Sequence, residues 1–173
     1  MRTVADAAGW DAGLQYDVYQ KEEKTSAGKG YLFIKRTFDI AASVAAGIVL
    51  LLPMLLIAVL VRIDSHGPAL FRQERLGKGG KPFTIIKFRT MYENAEANGP
   101  QWAVTNDVRC TKFGRFLRHT HLDELPQIWN IIKGDMSIVG PRPERAYFYD
   151  KFELFVPGFC DRLEVRPGLT GLA

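Results

Sequence analysis

Ile40-Ala-Ala-Ser-Val-Ala-Ala-Gly-Ile-Val-Leu-Leu-Leu-Pro-Met-Leu-Leu-Ile-Ala-Val-Leu-Val61 carries no charge and is interrupted only by Ser43, Gly47 and Pro53. As a straight helix it would be roughly 33 Å long, enough to cross the hydrocarbon core of a bilayer. Lys35 and Arg36 precede it, and Arg62, Arg72, Arg75, Lys78, Lys81, Lys87 and Arg89 follow it. Both ends therefore show the basic bias of a cytoplasmic flank. A segment with two such ends must turn back, and Pro53 is placed to kink it. Residues 35–66 are accordingly expected to form a re-entrant helix-break-helix, with a spanning anchor and a buried core helix as the alternatives.

Downstream, His119 to Pro143 concentrates the chemistry-bearing residues. Leu125, Ile128, Ile131 and Ile132 recur at helical spacing, which puts Asp123 and Glu124 at or just inside the start of an amphipathic helix. Pro126 falls in the first turn, where its missing N–H costs little, and Lys133-Gly134 reads as the last turn and its left-handed stop. Acids at a helix start have an ordinary capping role. Here, however, Lys112, Arg115 and Arg118 lie just upstream and Arg142 and Arg145 just downstream. Free N–H groups at such an end bind phosphate as readily as carboxylate.

The rest of the chain frames these two stretches. Residues 1–34 are a polar extension in which Lys21 to Gly30 looks like a solvated linker. No apolar core follows a basic start there, as a signal peptide would require. After Gly67-Pro68, residues 69–73 and 83–88 read as a hairpin around Gly77-Lys-Gly-Gly80, whose second strand delivers Lys87 and Arg89. Residues 91–107 form a polar loop with Trp102 as its one large apolar side chain. Cys110 to His119 sets Phe113, Phe116 and Leu117 against Lys112, Arg115 and Arg118, a basic amphipathic helix suited to an anionic membrane or to a soluble core. Met136 to Val139 is a short strand, Glu144 to Phe155 an aromatic-rich helix, and Arg162 to Val165 a last strand. The net charge of +4 favours an anionic partner without choosing among phosphorylated substrate, acidic lipid and nucleic acid. Cys110 and Cys160 stand in no metal-type spacing and read as free thiols.

Four ordered motifs carry a resemblance: Lys87-Phe-Arg-Thr-Met91, Leu122-Asp-Glu-Leu-Pro-Gln127, Lys133-Gly-Asp-Met-Ser-Ile-Val-Gly-Pro-Arg-Pro143 and Arg166-Pro-Gly-Leu-Thr-Gly171. Together they resemble the bacterial sugar transferases, the monotopic polyprenyl-phosphate phosphoglycosyl transferases, over about Lys35 to Ala173. The resemblance implies transfer of a sugar-1-phosphate from a UDP-sugar to undecaprenyl phosphate, with release of UMP, through a covalent enzyme intermediate. A carboxylate attacking phosphorus suits that chemistry, because it divides one transfer between a soluble and a lipid substrate into two steps. By motif match Asp123 is the nucleophile and Glu124 its partner, which manages the proton of the lipid phosphate or helps Asp123 hold Mg²⁺. Arg118, Arg142, Lys87 and Arg89 would neutralise the diphosphate, with Arg145 and Arg166 as weaker candidates. The resemblance also implies a re-entrant helix entering one leaflet of the bacterial plasma membrane, with the site on the cytoplasmic face. Leu52 precedes Pro53 where relatives often have serine. Relatives also continue beyond the point matching Ala173, which implies a C-terminal truncation.

The expected fold is therefore α+β: a membrane-associated monotopic domain with the re-entrant segment, interfacial amphipathic helices and a small sheet or hairpin, and with residues 67–173 as the catalytic part. Two other functions compete. His119, His121 and Asp123 could ligate zinc in a hydrolase, and the whole chain could be a basic, non-catalytic module binding membrane lipid. Nucleic acid is disfavoured, because the aromatics do not interleave with basic residues on a strand face. The sugar and homo-oligomerisation are left open by the sequence.

Overall fold

The computed structural model describes residues 27–95 and 107–171. Most of the polar extension, and the stretch of loop carrying Trp102, lie outside the described residues. Helix α1, Lys29–Asp64, contains 36 residues and takes in the end of the expected linker. It would measure roughly 54 Å at the usual rise per residue. Pro53 lies inside this helix rather than at a break between two helices. A proline's fixed φ is itself helical, and its ring removes only one backbone donor, so the turns on either side can continue.

The described residues cover one stripe of α1. Asp39, Ser43, Ile57 and Val61 are buried and Gly47, Leu50 and Met54 are half-buried, a spacing of three and four residues that defines one helical face. Val44, Ile48, Val49, Leu51, Leu52, Leu55, Leu56 and Val59 are exposed on the rest. So much contiguous apolar surface is compatible with membrane association. The covered stripe meets the remainder of the chain along its whole length. Asp39 bonds to Ser137 and Ile138, Gly47 lies against Ile128, and Ile57 and Val61 join Phe88 and Leu117 in a core cluster.

The expected hairpin is present as β1, Leu70–Leu76, antiparallel to β2, Pro82–Phe88, with a 3-10 turn at Lys78–Gly80 between them. The amphipathic helix follows as α2, Lys112–Thr120, capped by the Thr111 hydroxyl accepting from the Gly114 amide at 2.9 Å. Leu117 on α2 is completely buried, while Lys112, Arg115 and Phe116 face outward. After a left-handed His121 (φ 57°), Leu122–Gln127 forms a 3-10 turn that runs into α3, Ile128–Lys133. The acids thus sit on a tighter turn than the α-helix start the spacing predicts. Pro126 cannot donate to a carbonyl in this turn, which weakens the α-helical ladder there. Gly134, at φ 105°, ends α3 as expected.

Strand β3, Ser137–Val139, pairs in parallel with β4, Gly168–Thr170. The last strand therefore lies inside the Arg166–Gly171 motif and not at residues 162–165, which belong to a 3-10 turn, Phe159–Glu164, and its C-cap. The Arg-Leu-Glu-Val run supplies one buried apolar side chain, Leu163, whereas Gly168 lets its backbone close on Gly140, where a Cβ would collide. Helix α4, Ala146–Phe155, begins after the Pro-Arg-Pro segment. Its aromatics divide: Tyr149 packs with Leu76 and Leu163 in a core cluster, while Phe155 is exposed. The described residues make a mixed helix-and-sheet fold with two small two-stranded sheets and one long apolar helix.

Candidate active site

The two acids are brought into one cavity of about 530 Å³, between the hairpin, the 3-10 turn and the Pro141–Arg145 segment. Neighbouring residues in a regular helix point apart, but at a tight entry turn both can face one ligand. Asp123 and Glu124 do so, each 8% exposed.

Their electrostatic states differ. Glu124 Oε1 accepts from Lys87 Nζ at 2.7 Å and from Arg142 Nη2 at 2.8 Å. Burial by itself would raise the Glu124 pKa, yet the charges and hydrogen bonds of Lys87 and Arg142 together hold it below the ordinary value. Among the described residues no other side chain donates a hydrogen bond to Asp123. Burial raises its pKa, with the Glu124 charge adding to the effect and those of Lys87 and Arg118 only partly opposing it. Lys87 is shifted down by its own burial, in spite of Glu124. One carboxylate is thus an ionised anchor between two cations, and its neighbour is a less saturated carboxylate in the same cavity.

The expected cations take distinct places. Lys87, Arg89, Arg118, Arg142 and Arg145 all line the cavity, whereas Arg166 is exposed and stands apart from it. Arg118 Nε donates to Thr90 Oγ1 at 2.9 Å, which holds its guanidinium beside strand β2. Arg89 is 6% exposed, and its terminal nitrogens donate to the Ser65 and His66 carbonyl oxygens at 2.7 and 2.6 Å and to Ser65 Oγ at 2.9 Å. This satisfies carbonyls at the end of α1, so Arg89 couples the pocket strand to the apolar helix as well as bordering the cavity.

Arg75 and Asn130 contribute without any motif-level signal. Arg75 donates to Glu144 Oε2 at 2.8 Å, to the Pro143 carbonyl at 3.3 Å and to Gln73 Oε1 at 2.7 Å, fixing the segment from which Arg142 reaches Glu124. Buried Asn130 accepts from the Ile86 amide and donates to the Thr84 carbonyl, tying α3 to the edge of β2. Gln127, one 3-10 turn beyond Glu124, is buried and also lines the cavity. Its place in the same Leu122–Gln127 motif as the two acids was the sequence signal for it.

The zinc alternative is not supported by the geometry. His119 is exposed at the end of α2, and among the described residues no group of three His, Cys, Asp or Glu is placed to hold a metal ion. Two carboxylates in a cation-lined cavity do suit the handling of a phosphorylated ligand, beside a helix apolar enough for a bilayer.

That combination defines the class as phosphoryl or phosphosugar transfer near a membrane. The sequence pattern of the bacterial sugar transferase family matches residues 30–173, so the chain belongs to that family. It is 46% identical over 150 residues to a Bacillus subtilis protein named for undecaprenyl-phosphate N-acetylgalactosaminyl 1-phosphate transfer, covering 86% of this chain and 82% of that one. It is 48% identical over 144 residues to the UDP-N-acetylgalactosamine-undecaprenyl-phosphate N-acetylgalactosaminephosphotransferase of Aeromonas hydrophila, covering 83% and 34% respectively. With the UDP-glucose:undecaprenyl-phosphate glucose-1-phosphate transferase of Caulobacter vibrioides it shares 46% identity over 140 residues, covering 80% and 52%. The chain therefore spans most of the first relative and about a third to a half of the other two.

Proposed function

We propose that this protein transfers a sugar-1-phosphate from a UDP-sugar to undecaprenyl phosphate, releasing UMP, as the step that initiates exopolysaccharide, capsule or glycoconjugate synthesis. The observation that carries this reading is the pairing of Asp123, raised in pKa and bonded by no other side chain among the described residues, with a cation-clamped Glu124 in one cavity.

In the first step an Asp123 carboxylate oxygen attacks the phosphorus that bears the sugar. The bond from that phosphorus to the oxygen shared with UMP breaks, UMP leaves with the electron pair, and an acyl phosphate remains on Asp123. In the second, a phosphate oxygen of undecaprenyl phosphate attacks the same phosphorus and the Asp123 carboxylate departs. Arg118, Arg142 and Lys87 surround the charge that must be neutralised, in a partly water-excluded site. Glu124, held ionised, is a weak base and a strong orienter, so it serves to aim Lys87 and Arg142. The donor set fits Mg²⁺, which commonly binds through one or two carboxylates plus substrate phosphates, and Asp123 and Glu124 would hold it. Such an ion would supply further neutralisation of the diphosphate.

The topology belongs to the same proposal. Lys35 and Asp39 at one end of α1, and Ile57 and Val61 at the other, all contact the part of the chain that builds the site. A helix crossing the bilayer would carry one end roughly 30 Å from that part. Coverage along the full stripe supports a monotopic arrangement at the plasma membrane, with α1 embedded from the cytoplasmic side and both ends on that side. A non-catalytic lipid-binding module would explain the apolar helix and the cations but not the unclamped acid among them.

The direct test is UMP release by nanodisc-embedded protein from a panel of UDP-sugars with undecaprenyl phosphate and Mg²⁺. Release with at least one donor, dependent on the lipid for turnover, is the expected result. Lipid binding without UMP release from any donor would overturn the reading.

A further inference from the structure

Gln127 stands out from the cavity wall. It is 2% exposed, it lines the cavity that contains Asp123 and Glu124, and among the described residues its amide nitrogen has no hydrogen-bond partner. Residues three apart on a 3-10 turn eclipse one another, so Gln127 sits directly beyond Glu124 and four residues from Asp123. Folded proteins seldom leave a buried donor unpaired, because it has lost its bonds to water without replacing them. The cavity wall does carry acceptor oxygens, those of Asp123 and Glu124 among them, but none makes a hydrogen bond to this nitrogen. An oxygen carried into the cavity by a ligand would complete this donor.

We propose that Gln127 is a substrate-binding residue whose amide N–H donates to an oxygen on the phosphosugar during its transfer to Asp123, an inference that rests on the functional reading above. A neutral donor suits this place. The net charge of the diphosphate is met by Lys87, Arg118 and Arg142, and what remains is a directional bond to a phosphoryl oxygen or a sugar hydroxyl. The bond forms with the piece that is transferred and not with the UMP that leaves.

The test uses Gln127→Met, which keeps the length and flexibility of the side chain and removes its donor, with Gln127→Leu as a second variant. For UMP release in nanodiscs, kcat/KM should fall by about ten- to a hundredfold, the loss of one hydrogen bond to a charged or polar ligand group. The Tm of the ligand-free protein should stay level or rise, because an unpaired buried amide has been replaced by apolar atoms. UMP should inhibit wild type and variants equally. Weaker inhibition by UDP would place the accepting oxygen on the transferred phosphoryl group, and unaltered UDP inhibition would place it on the sugar. A lower Tm with unchanged kcat/KM would make Gln127 a packing residue and overturn the proposal, and so would UMP inhibition weakened as much as kcat/KM. If the wild type released UMP from no donor, the functional reading would fail first and this proposal with it. An active wild type beside an equally active, folded variant would remove the Gln127 proposal alone.

Discussion

Two clusters of opposite charge join distant parts of this chain, and they are completed to different degrees. At the N-terminal end of α1, Asp39 Oδ1 accepts from the Ile138 amide at 3.2 Å, and Oδ2 accepts from Ser137 Oγ at 2.8 Å and Lys35 Nζ at 3.1 Å. Beside it, Arg36 donates to the Ile131 and Ile132 carbonyl oxygens at 2.7 and 3.0 Å, closing the C-terminal end of α3. Both Asp39 oxygens have donors, and the carboxylate is 4% exposed. In the cavity, by contrast, Glu124 takes two cations on one oxygen while, among the described residues, Asp123 receives no bond from another side chain. A buried polar cluster that is fully satisfied rigidifies a fold, whereas one left partly open stores interaction for something yet to bind. The first cluster docks α1 onto the domain, and the second is arranged for chemistry.

The sharpest way to break this contrast is Asp123→Asn. Turnover should drop by at least about a thousandfold, as expected when a covalent nucleophile is removed, while the Tm stays level or rises because a poorly compensated buried charge is gone. Loss of activity with an equal loss of stability would mean the two clusters do not differ in kind. Asp39→Ala should do the reverse. It leaves the Ser137 hydroxyl and the Ile138 amide without their acceptor and should cost about 2 kcal/mol in denaturant unfolding, as unsatisfied buried polar groups do, with kcat per folded molecule nearly unchanged.

The pH response distinguishes the two acids of the site. Asp123 must be ionised to attack, and its burial raises its pKa in the free protein above the ordinary 3.8, so the acid limb of kcat/KM should lie above that value. In stability terms a raised carboxyl pKa contributes below the unfolded value and is lost as pH rises through the folded one. Glu124 behaves oppositely. Its contribution is present above its ordinary 4.5 and is lost as pH falls through its lowered value, and Glu124→Gln should remove that acid-side loss from a pH titration of unfolding. The smallest effect is expected for Arg166→Ala. An exposed cation outside the cavity should change kcat/KM by less than about threefold, within the range of surface charge effects.

Local patterns in the chain made much of this legible. The 125/128/131/132 spacing located the helix behind the acids, the Gly-rich turn located the hairpin, and the absence of charge from Ile40 to Val61 marked the apolar helix. What was not legible depends on partners far away in sequence. Asp39 looks like an ordinary flanking acid until Ser137 and Ile138, 98 and 99 residues on, supply its donors. Asn130 looks like a polar interruption of α3 until Thr84 and Ile86 present their backbone. Arg36 reads as a topological signal for a membrane flank, yet its guanidinium ends a helix in another part of the fold. The misplaced strand at 162–165 has the same origin. Its alternation is genuine, but pairing went to Gly168–Thr170, where the missing side chain admits the Gly140 backbone.

The central claim, that the open acid and not the clamped one bonds to phosphorus, is tested most directly by incubating nanodisc-embedded protein with a UDP-sugar radiolabelled in the sugar, without undecaprenyl phosphate, and locating the label by peptide mass spectrometry. Up to one equivalent of UMP should be released, with label on Asp123 and discharge of that label when undecaprenyl phosphate is added. Active protein that carries label on Glu124, or that turns over without ever acquiring label, would contradict it.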